Sequence, residues 1–231
     1  MKLYTAGGSI ANRKSCIKLG VGILLVDGWR DPTPYPYFAI DNGCYSAWSR
    51  GIPWDPSPFL KILSKARELG LRPDFAVLPD IVAGGHESVK RSMAWYPVLK
   101  AEYPDVPLYF AVQDGMTADD IPYGSSQIDG IFVGGSMEWK LKTMGYWANL
   151  AHEIGIQCHV GRIGTPDRMV LAHTQGVDSI DSTTWVQRNG SLERHIGKYL
   201  DVVKNQTQIS TTPESSYKPI SKMSEVGQEY I

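Results

Sequence analysis

The chain has 231 residues, of which 42% are hydrophobic and 20% are charged, and its formal net charge is −1. This is ordinary globular composition, and the length favours one folded domain. The near-neutral charge excludes a global basic field that would attract nucleic acid, although it leaves room for a local basic face.

The spacing of the cysteines and the N-terminal sequence indicate the cellular compartment of the protein. Cys16, Cys44 and Cys158 are widely spaced, with no CxxC or CxC pair. This spacing predicts free thiols in a reducing compartment rather than disulfides or a zinc site. The N-terminus lacks a signal-peptide pattern, and no apolar run is long enough to span a bilayer. We therefore expect a cytoplasmic protein without a membrane partner.

Short apolar runs recur along the chain and predict parallel strands that are buried on both faces. About eight such runs occur, which is the number that a (β/α)8 TIM-like barrel requires. In chain order they cover residues 2–6, 21–26, 37–41, 74–79, 108–113, 130–134, 157–161 and 179–181.

Helical patterns lie between several of these runs. Residues 58–69 carry apolar side chains at a spacing close to 3.6, and Gly70 then favours the end of the helix. Thr165 and Pro166 are typical of an N-cap followed by a first helical residue. The remaining predicted helices cover residues 87–102, 139–154 and 192–203.

The texture changes near residue 205. Residues 205–231 are rich in Ser, Thr, Gln, Glu and Pro and show no sustained apolar period. This composition predicts a flexible or loosely docked tail after a barrel domain at residues 1–204. About two hundred packed residues is at the low end for a barrel, so we expect short connections and one or two missing or degenerate helices.

Polar residues follow several of the predicted strands. Because barrel chemistry is located at the carboxyl ends of the strands, these residues are candidates for a functional site. Asp41 and Asp181 are the most informative pair, because two carboxylates at one rim can open a glycosidic bond, one as nucleophile and one as acid/base. Either aspartate could instead cap a turn or a helix.

Five motifs, taken in chain order, are similar to those of a known protein family. They are DNGCY (41–45), LPD (78–80), VQDG (112–115), VGG (133–135) and GTPDRMVLAHTQGVDSID (164–181). Together they resemble the tRNA-guanine transglycosylase superfamily over residues 38–188. The long last motif looks like the nucleophile segment of that family.

The resemblance implies a role for each matching residue. Asp181 falls on the catalytic nucleophile and Asp41 on the second catalytic aspartate. Tyr45 falls on the aromatic residue that stacks on the base, and Asp80 on the residue that binds the N1–H and amino group of guanine. Gln113 and the backbone at Gly134 and Gly135 match the positions that contact the O6 side.

The chain also departs from the family. It lacks the three-Cys, one-His pattern of the zinc subdomain. The Pro-Thr-Arg run after the nucleophile is replaced by residues 184–188, with the arginine displaced to Arg188. The methionine opposite the stacking residue is missing, and Gly161 or Arg162 stands in that region. In these respects the chain looks more like the short DpdA-type DNA 7-deazaguanine transglycosylases of bacteriophages.

The resemblance therefore implies a DNA-modifying pentosyltransferase that replaces guanine with a 7-deazaguanine such as 7-cyano-7-deazaguanine. Its partners would be DNA and the free base, with a second copy of the chain or a helicase-like protein as further candidates. No metal or organic cofactor is implied. Three alternatives stay open: the same exchange on tRNA, a hydrolase that leaves an abasic site, and a non-catalytic subunit that binds nucleic acid.

Several residues have two interpretations at this stage. Tyr45 could be a packed aromatic residue, and Gly134 and Gly135 could form a tight turn. His159 lies in an apolar run and is interpreted as a core histidine. Basic residues could contact phosphate or lie on a solvated face. The basic candidates are Arg162, Arg188 and Arg194, with Arg13, Lys14, Lys18 and Lys198 as further members of the basic clusters.

Overall fold

The computed structural model describes residues 1–6, 10–122, 128–187 and 191–210. Eight parallel strands close into a barrel in sequence order, so the predicted (β/α)8 TIM-like barrel is confirmed. The strands are β1 Lys2–Thr5, β2 Gly22–Leu25, β3 Phe38–Ile40, β4 Ala76–Val77, β5 Leu108–Val112, β6 Gly130–Val133, β7 Gln157–Val160 and β8 Ser179–Ser182.

The helices are α1 Ile10–Lys18, α2 Cys44–Ser49, α3 Ser57–Glu68, α4 His86–Glu102, α5 Met137–Glu153, α6 Pro166–Thr174, α7 Thr184–Gln187 and α8 Ser191–Ser210. No α-helix joins β2 to β3, and the described part of the β5–β6 connection contains a 3₁₀ turn, Ala118–Asp120. These two connections therefore lack an α-helix among the described residues, in agreement with the one or two missing or degenerate helices that the short length predicts. The structure adds α1, α2 and α7, which the apolar periodicity did not indicate.

The helix boundaries follow from local chemistry. The apolar stripe of α3 is buried, and Gly70 follows the helix with a φ of 63°. Pro166 begins α6 as predicted, but the Thr165 side chain makes no capping hydrogen bond. Helix α8 continues past residue 203 to Ser210, into the segment predicted as a tail, and residues 211–231 lie outside the described part of the chain.

Alternating side chains divide each strand between two apolar layers. Side chains that point into the barrel form a small cluster, which includes Tyr4, Phe75 and Tyr109. The opposite faces pack against the helices in the larger cluster. Closure joins β1 to β8, with Tyr4 opposite Asp181. The aromatic side chains within the barrel therefore form a floor beneath the site at the carboxyl ends of the strands.

Among the described helices, none has the length and apolar character needed to cross a bilayer.

Candidate functional site

A cavity of about 260 Å³ opens at the carboxyl ends of the strands. Its volume lies just below the roughly 300–1,000 Å³ usual for ligand pockets. The structure brings every predicted catalytic and base-binding residue to its wall. These residues are Asp41, Tyr45, Asp80, Gln113, Gly134, Gly135 and Asp181, and Arg162 lines the same cavity.

The other two predicted nucleic-acid contacts are Arg194 and Arg188, and the structure places only Arg194. Arg194 is exposed on α8 and is not one of the cavity-lining residues. Arg188 lies outside the described residues.

Asp181 lies within β8 and is 5% exposed. Its Oδ1 accepts hydrogen bonds from the backbone N–H of Arg162 and, at the same 3.1 Å, from Nε2 of His159. Within the described part of the chain, no donor contacts its Oδ2. One oxygen is therefore held in place while the other has no donor among the described residues, which suits a carboxylate that must attack a substrate carbon.

His159 fixes the orientation of Asp181. Its ring is fully buried and stacks on Phe132 with the ring centroids 4.9 Å apart. Nδ1 lies 2.8 Å from Oγ of Ser179, and the carboxylate beside Nε2 can only accept. The neutral tautomer with the proton on Nε2 satisfies both contacts, with the Ser179 hydroxyl donating. The expected core histidine is indeed buried, and it also contacts the candidate nucleophile.

Asp41 immediately follows β3, and its Oδ1 accepts the backbone N–H of Gly43 at 2.7 Å. Burial raises the pKa of Asp41 to about 7, against the Gly43 hydrogen bond, and the negative charges of Asp181, Asp80 and Asp27 raise it further. The carboxyl group therefore both caps a turn and remains able to hold a proton near neutral pH. A group of this kind can give and take a proton during catalysis.

Asp80 is held from the protein side by two side-chain amides. Asn42 donates to Oδ1 and Gln113 donates to Oδ2, each at 2.9 Å. Burial raises the pKa of Asp80, and the Asn42 hydrogen bond opposes that rise. The Cys44 thiol also donates to Asp80. Since a carboxylate has about four acceptor positions, Asp80 keeps acceptor capacity for a ligand beside these protein donors.

The Gln113 amide, which is predicted to contact the O6 side of a base, is bound within the protein. Its amide nitrogen lies within hydrogen-bonding distance of Asp80, of the Ile81 carbonyl and of the Ser88 hydroxyl. The side chain is 3% exposed. In this arrangement the amide orients Asp80, so donation to the O6 atom of a base would require it to leave these partners.

Tyr45 and Arg162 form one side of the cavity mouth. The Tyr45 side chain is 40% exposed and contacts Trp48, with the ring centroids 5.6 Å apart. The guanidinium of Arg162 lies over the Tyr45 ring. Of the two residues expected near Tyr45, Arg162 rather than Gly161 is the one that lies over the tyrosine ring.

Gly134 and Gly135 lie where β6 leads into α5. A Cβ at Gly135, whose φ is 75°, would collide with the Asp114 carboxylate. That carboxylate accepts the N–H of Ser136, the N-cap residue of α5, at 2.6 Å. The two glycines therefore form a bend between β6 and α5 and part of the cavity wall.

Lys140 is a site residue that the sequence analysis missed. It lines the cavity from α5, is 1% exposed, and donates from Nζ to the Gly161 carbonyl at 2.6 Å. Burial lowers the pKa of Lys140 to about 8, and the charge of Asp181 opposes that shift. The sequence did contain an indication of this position. Lys140 is spaced from the buried Met144 and Trp147 so that it lies on the apolar face of the helix, where a lysine is unusual.

The described residues include no group of three or more His, Cys, Asp or Glu side chains that could hold a metal ion. No protein-family model matches the chain, and no curated protein matches it significantly. The relation to the transglycosylase superfamily therefore stays a prediction from the motifs.

Proposed function

We propose that this protein is a glycosyltransferase that exchanges guanine in DNA for a 7-deazaguanine. The supporting observation is the pair of aspartates in one cavity. Asp181 has one oxygen held by two N–H donors and one without a donor among the described residues, and Asp41 carries a pKa near neutrality. Retaining glycoside chemistry requires such a division between a nucleophile and an acid/base.

In the proposed reaction, Oδ2 of Asp181 attacks C1′ of the deoxyribose. The C1′–N9 bond breaks, its electron pair goes to guanine, and Asp41 supplies the proton that guanine needs to leave. The resulting aspartyl ester holds the sugar on the protein while the bases exchange. The 7-deazaguanine nitrogen then attacks C1′, its proton returns to Asp41, and the ester bond breaks to restore the carboxylate. Two inversions give net retention.

The residues that line the cavity favour a guanine-like base as the ligand. The N1–H and 2-amino groups of guanine form a paired donor face, which a carboxylate held as Asp80 is held can accept. Adenine lacks this face and would leave the remaining acceptor positions of Asp80 unused, which favours guanine over adenine. A base taken from a duplex must first be flipped out, which costs a few kcal/mol, and stacking on Tyr45 offsets about 1–3 kcal/mol of that cost.

The preference for DNA over tRNA rests on the resemblance to DpdA-type enzymes and on the missing zinc-ligand pattern. Cys16, Cys44 and Cys158 are all buried, free thiols. They lie apart along the chain and resemble no ligand set of the tRNA enzymes.

The test is incorporation of labelled 7-cyano-7-deazaguanine by the purified protein into duplex DNA, single-stranded DNA and tRNA. We expect label in DNA and, when the free base is withheld, a protein–DNA adduct that survives denaturing electrophoresis. Asp181→Asn should abolish both signals. Asp201→Asn is the matched control, because Asp201 is an exposed residue of α8.

Each alternative predicts a different product. Label in tRNA alone would make the protein an RNA enzyme. Abasic DNA without label would indicate a hydrolase. Nucleic-acid binding with neither adduct nor product would reduce it to a non-catalytic subunit. Any of these three results would contradict the proposal.

A further inference from the structure

A single peptide group lies in space between the ammonium of Lys140 and the carboxylate of Asp181, the candidate nucleophile. The carbonyl of the peptide between Gly161 and Arg162 accepts the Lys140 ammonium at 2.6 Å. The N–H of the same peptide donates to Oδ1 of Asp181 at 3.1 Å. A continuous chain of hydrogen bonds therefore runs from the helix to the carboxylate through a single peptide plane.

This peptide lies in a strained part of the backbone. Arg162 has a φ of 64°, a left-handed conformation that costs a residue with a side chain about 1–3 kcal/mol. Such a conformation persists only where the surroundings hold it. On the other side, Gly161 is confined, because a Cβ there would crowd the Phe132 ring.

The Lys140 side chain is placed for this one contact. It is almost completely buried, and within the described part of the chain the Gly161 carbonyl is the only hydrogen-bond acceptor of its Nζ. Burial of an ammonium group is costly unless it gains a partner. Because that partner is the Gly161 carbonyl, the contact also determines which way the Arg162 N–H points.

We propose that Lys140 is a positioning residue that holds the Gly161–Arg162 peptide with its N–H directed at Asp181. The lysine touches neither the sugar nor the base in this role; it acts through the peptide. Without the ammonium, the peptide can rotate about its flanking bonds, and Oδ1 of Asp181 then loses one of its two donors. The kinetic consequence rests on the proposed function, whereas the orientation of the peptide does not.

The test uses the full-length protein labelled with ¹⁵N-arginine and compares Lys140→Met with the wild type. The Arg162 amide signal is assigned by its loss in Arg162→Lys. We expect its hydrogen exchange to be at least tenfold faster in Lys140→Met. Lys142→Met is the matched control, because Lys142 is on the same helix but is exposed and paired with Glu138; it should stay within twofold of the wild type.

The second readout is steady-state base exchange. Lys140→Met should lower kcat at least tenfold and leave KM for the free base within twofold, because the nucleophile rather than the base-binding wall is affected. Should Lys140→Met fail to fold, Lys140→Gln carries the same measurements, since its neutral donor is one bond closer to the backbone.

The possible failures are distinguishable. Arg162 amide exchange within twofold of the wild type would overturn the inference, as would a changed amide with an unchanged kcat. A wild-type protein that does not exchange bases would instead overturn the proposed function. The hydrogen-exchange measurement on the Arg162 amide would still decide whether Lys140 holds the peptide.

Discussion

The guanidinium carbon of Arg162 lies 4.3 Å from the centroid of the Tyr45 ring. This is a close cation–π contact, and it forms at the mouth of the cavity that contains both catalytic candidates. A base that stacks on this face of Tyr45 must displace the guanidinium or enter beneath it. The flat cation can then cover the second face of the base, so the pair can enclose a planar ligand from both sides.

Tyr45→Ala removes the stacking surface and should raise KM for the free base by about tenfold, since base–aromatic stacking contributes about 1–3 kcal/mol. Tyr45→Phe keeps the ring and should stay within twofold of the wild type. Steady-state exchange kinetics measure both. Tyr146→Ala is the control, because Tyr146 is a half-exposed tyrosine on α5 that does not line the cavity. Equal KM values for the two alanine variants would contradict a stacking role.

The raised pKa of Asp41 predicts a pH-dependent effect on stability. Its pKa of about 7 in the folded protein lies above the value of about 3.9 in an unfolded chain. Between these values the folded state binds more protons, so the contribution of Asp41 to stability is lost as pH rises from about 4 to about 7. Asp41→Asn removes this loss and keeps an oxygen for the Gly43 N–H.

We therefore expect Asp41→Asn to be more stable than the wild type at pH 8, by on the order of 1 kcal/mol, and the difference to shrink at pH 5. Urea unfolding at the two pH values measures it. Asp55→Asn is the control: hydrogen bonds from Ser57 lower the pKa of Asp55, so that carboxylate stays ionised across this range. A pH-independent difference for Asp41→Asn would show that its carboxyl group titrates normally.

The sequence was sufficient to predict where the two aspartates lie. Asp41 and Asp181 each end or follow an apolar run, and parallel strands in a closed barrel bring their carboxyl ends to one face. That reasoning needs only the period of the strands and their number. The same logic brought Asp80, Gln113 and the two glycines after β6 to the cavity.

The contacts around the aspartates could not be predicted in this way, because they depend on tertiary packing. Lys140 belongs to a segment for which the sequence predicted only a helix, and its ammonium reaches the site because α5 lies against β7. Arg162 reaches Tyr45 because its backbone adopts a positive φ, which no local pattern indicates for an arginine. The amide of Gln113 is held by Asp80 and by main-chain geometry that only the folded loop creates.

His159 should contribute to the rate through Asp181. His159→Phe preserves the stacking on Phe132 but removes the N–H donor to Oδ1. Because a hydrogen bond to a charged group contributes about 1.5–3 kcal/mol, we expect kcat to fall by about 10- to 100-fold with little change in KM. His173→Phe, on α6 and not among the cavity-lining residues, is the matched control. If both variants keep the wild-type kcat, His159 has only a packing role.

Gly135 tests how closely the turn after β6 is tied to the site. Gly135→Ala and Gly70→Ala both introduce a Cβ at a positive φ, which costs about 1–2 kcal/mol. At Gly70 the new atom has open space, whereas at Gly135 it must displace Asp114. We expect Gly135→Ala to lose more unfolding free energy in urea than Gly70→Ala.

The displaced Asp114 would release the N-terminus of α5, since its carboxylate accepts the Ser136 N–H. Because Lys140 is a residue of that helix, Gly135→Ala should also lower kcat for base exchange, whereas Gly70→Ala should not. Unfolding free energies and kcat are measured on the same two preparations. Equal losses of stability would mean that Asp114 moves aside without cost, and a normal kcat in Gly135→Ala would separate the turn from the catalytic site.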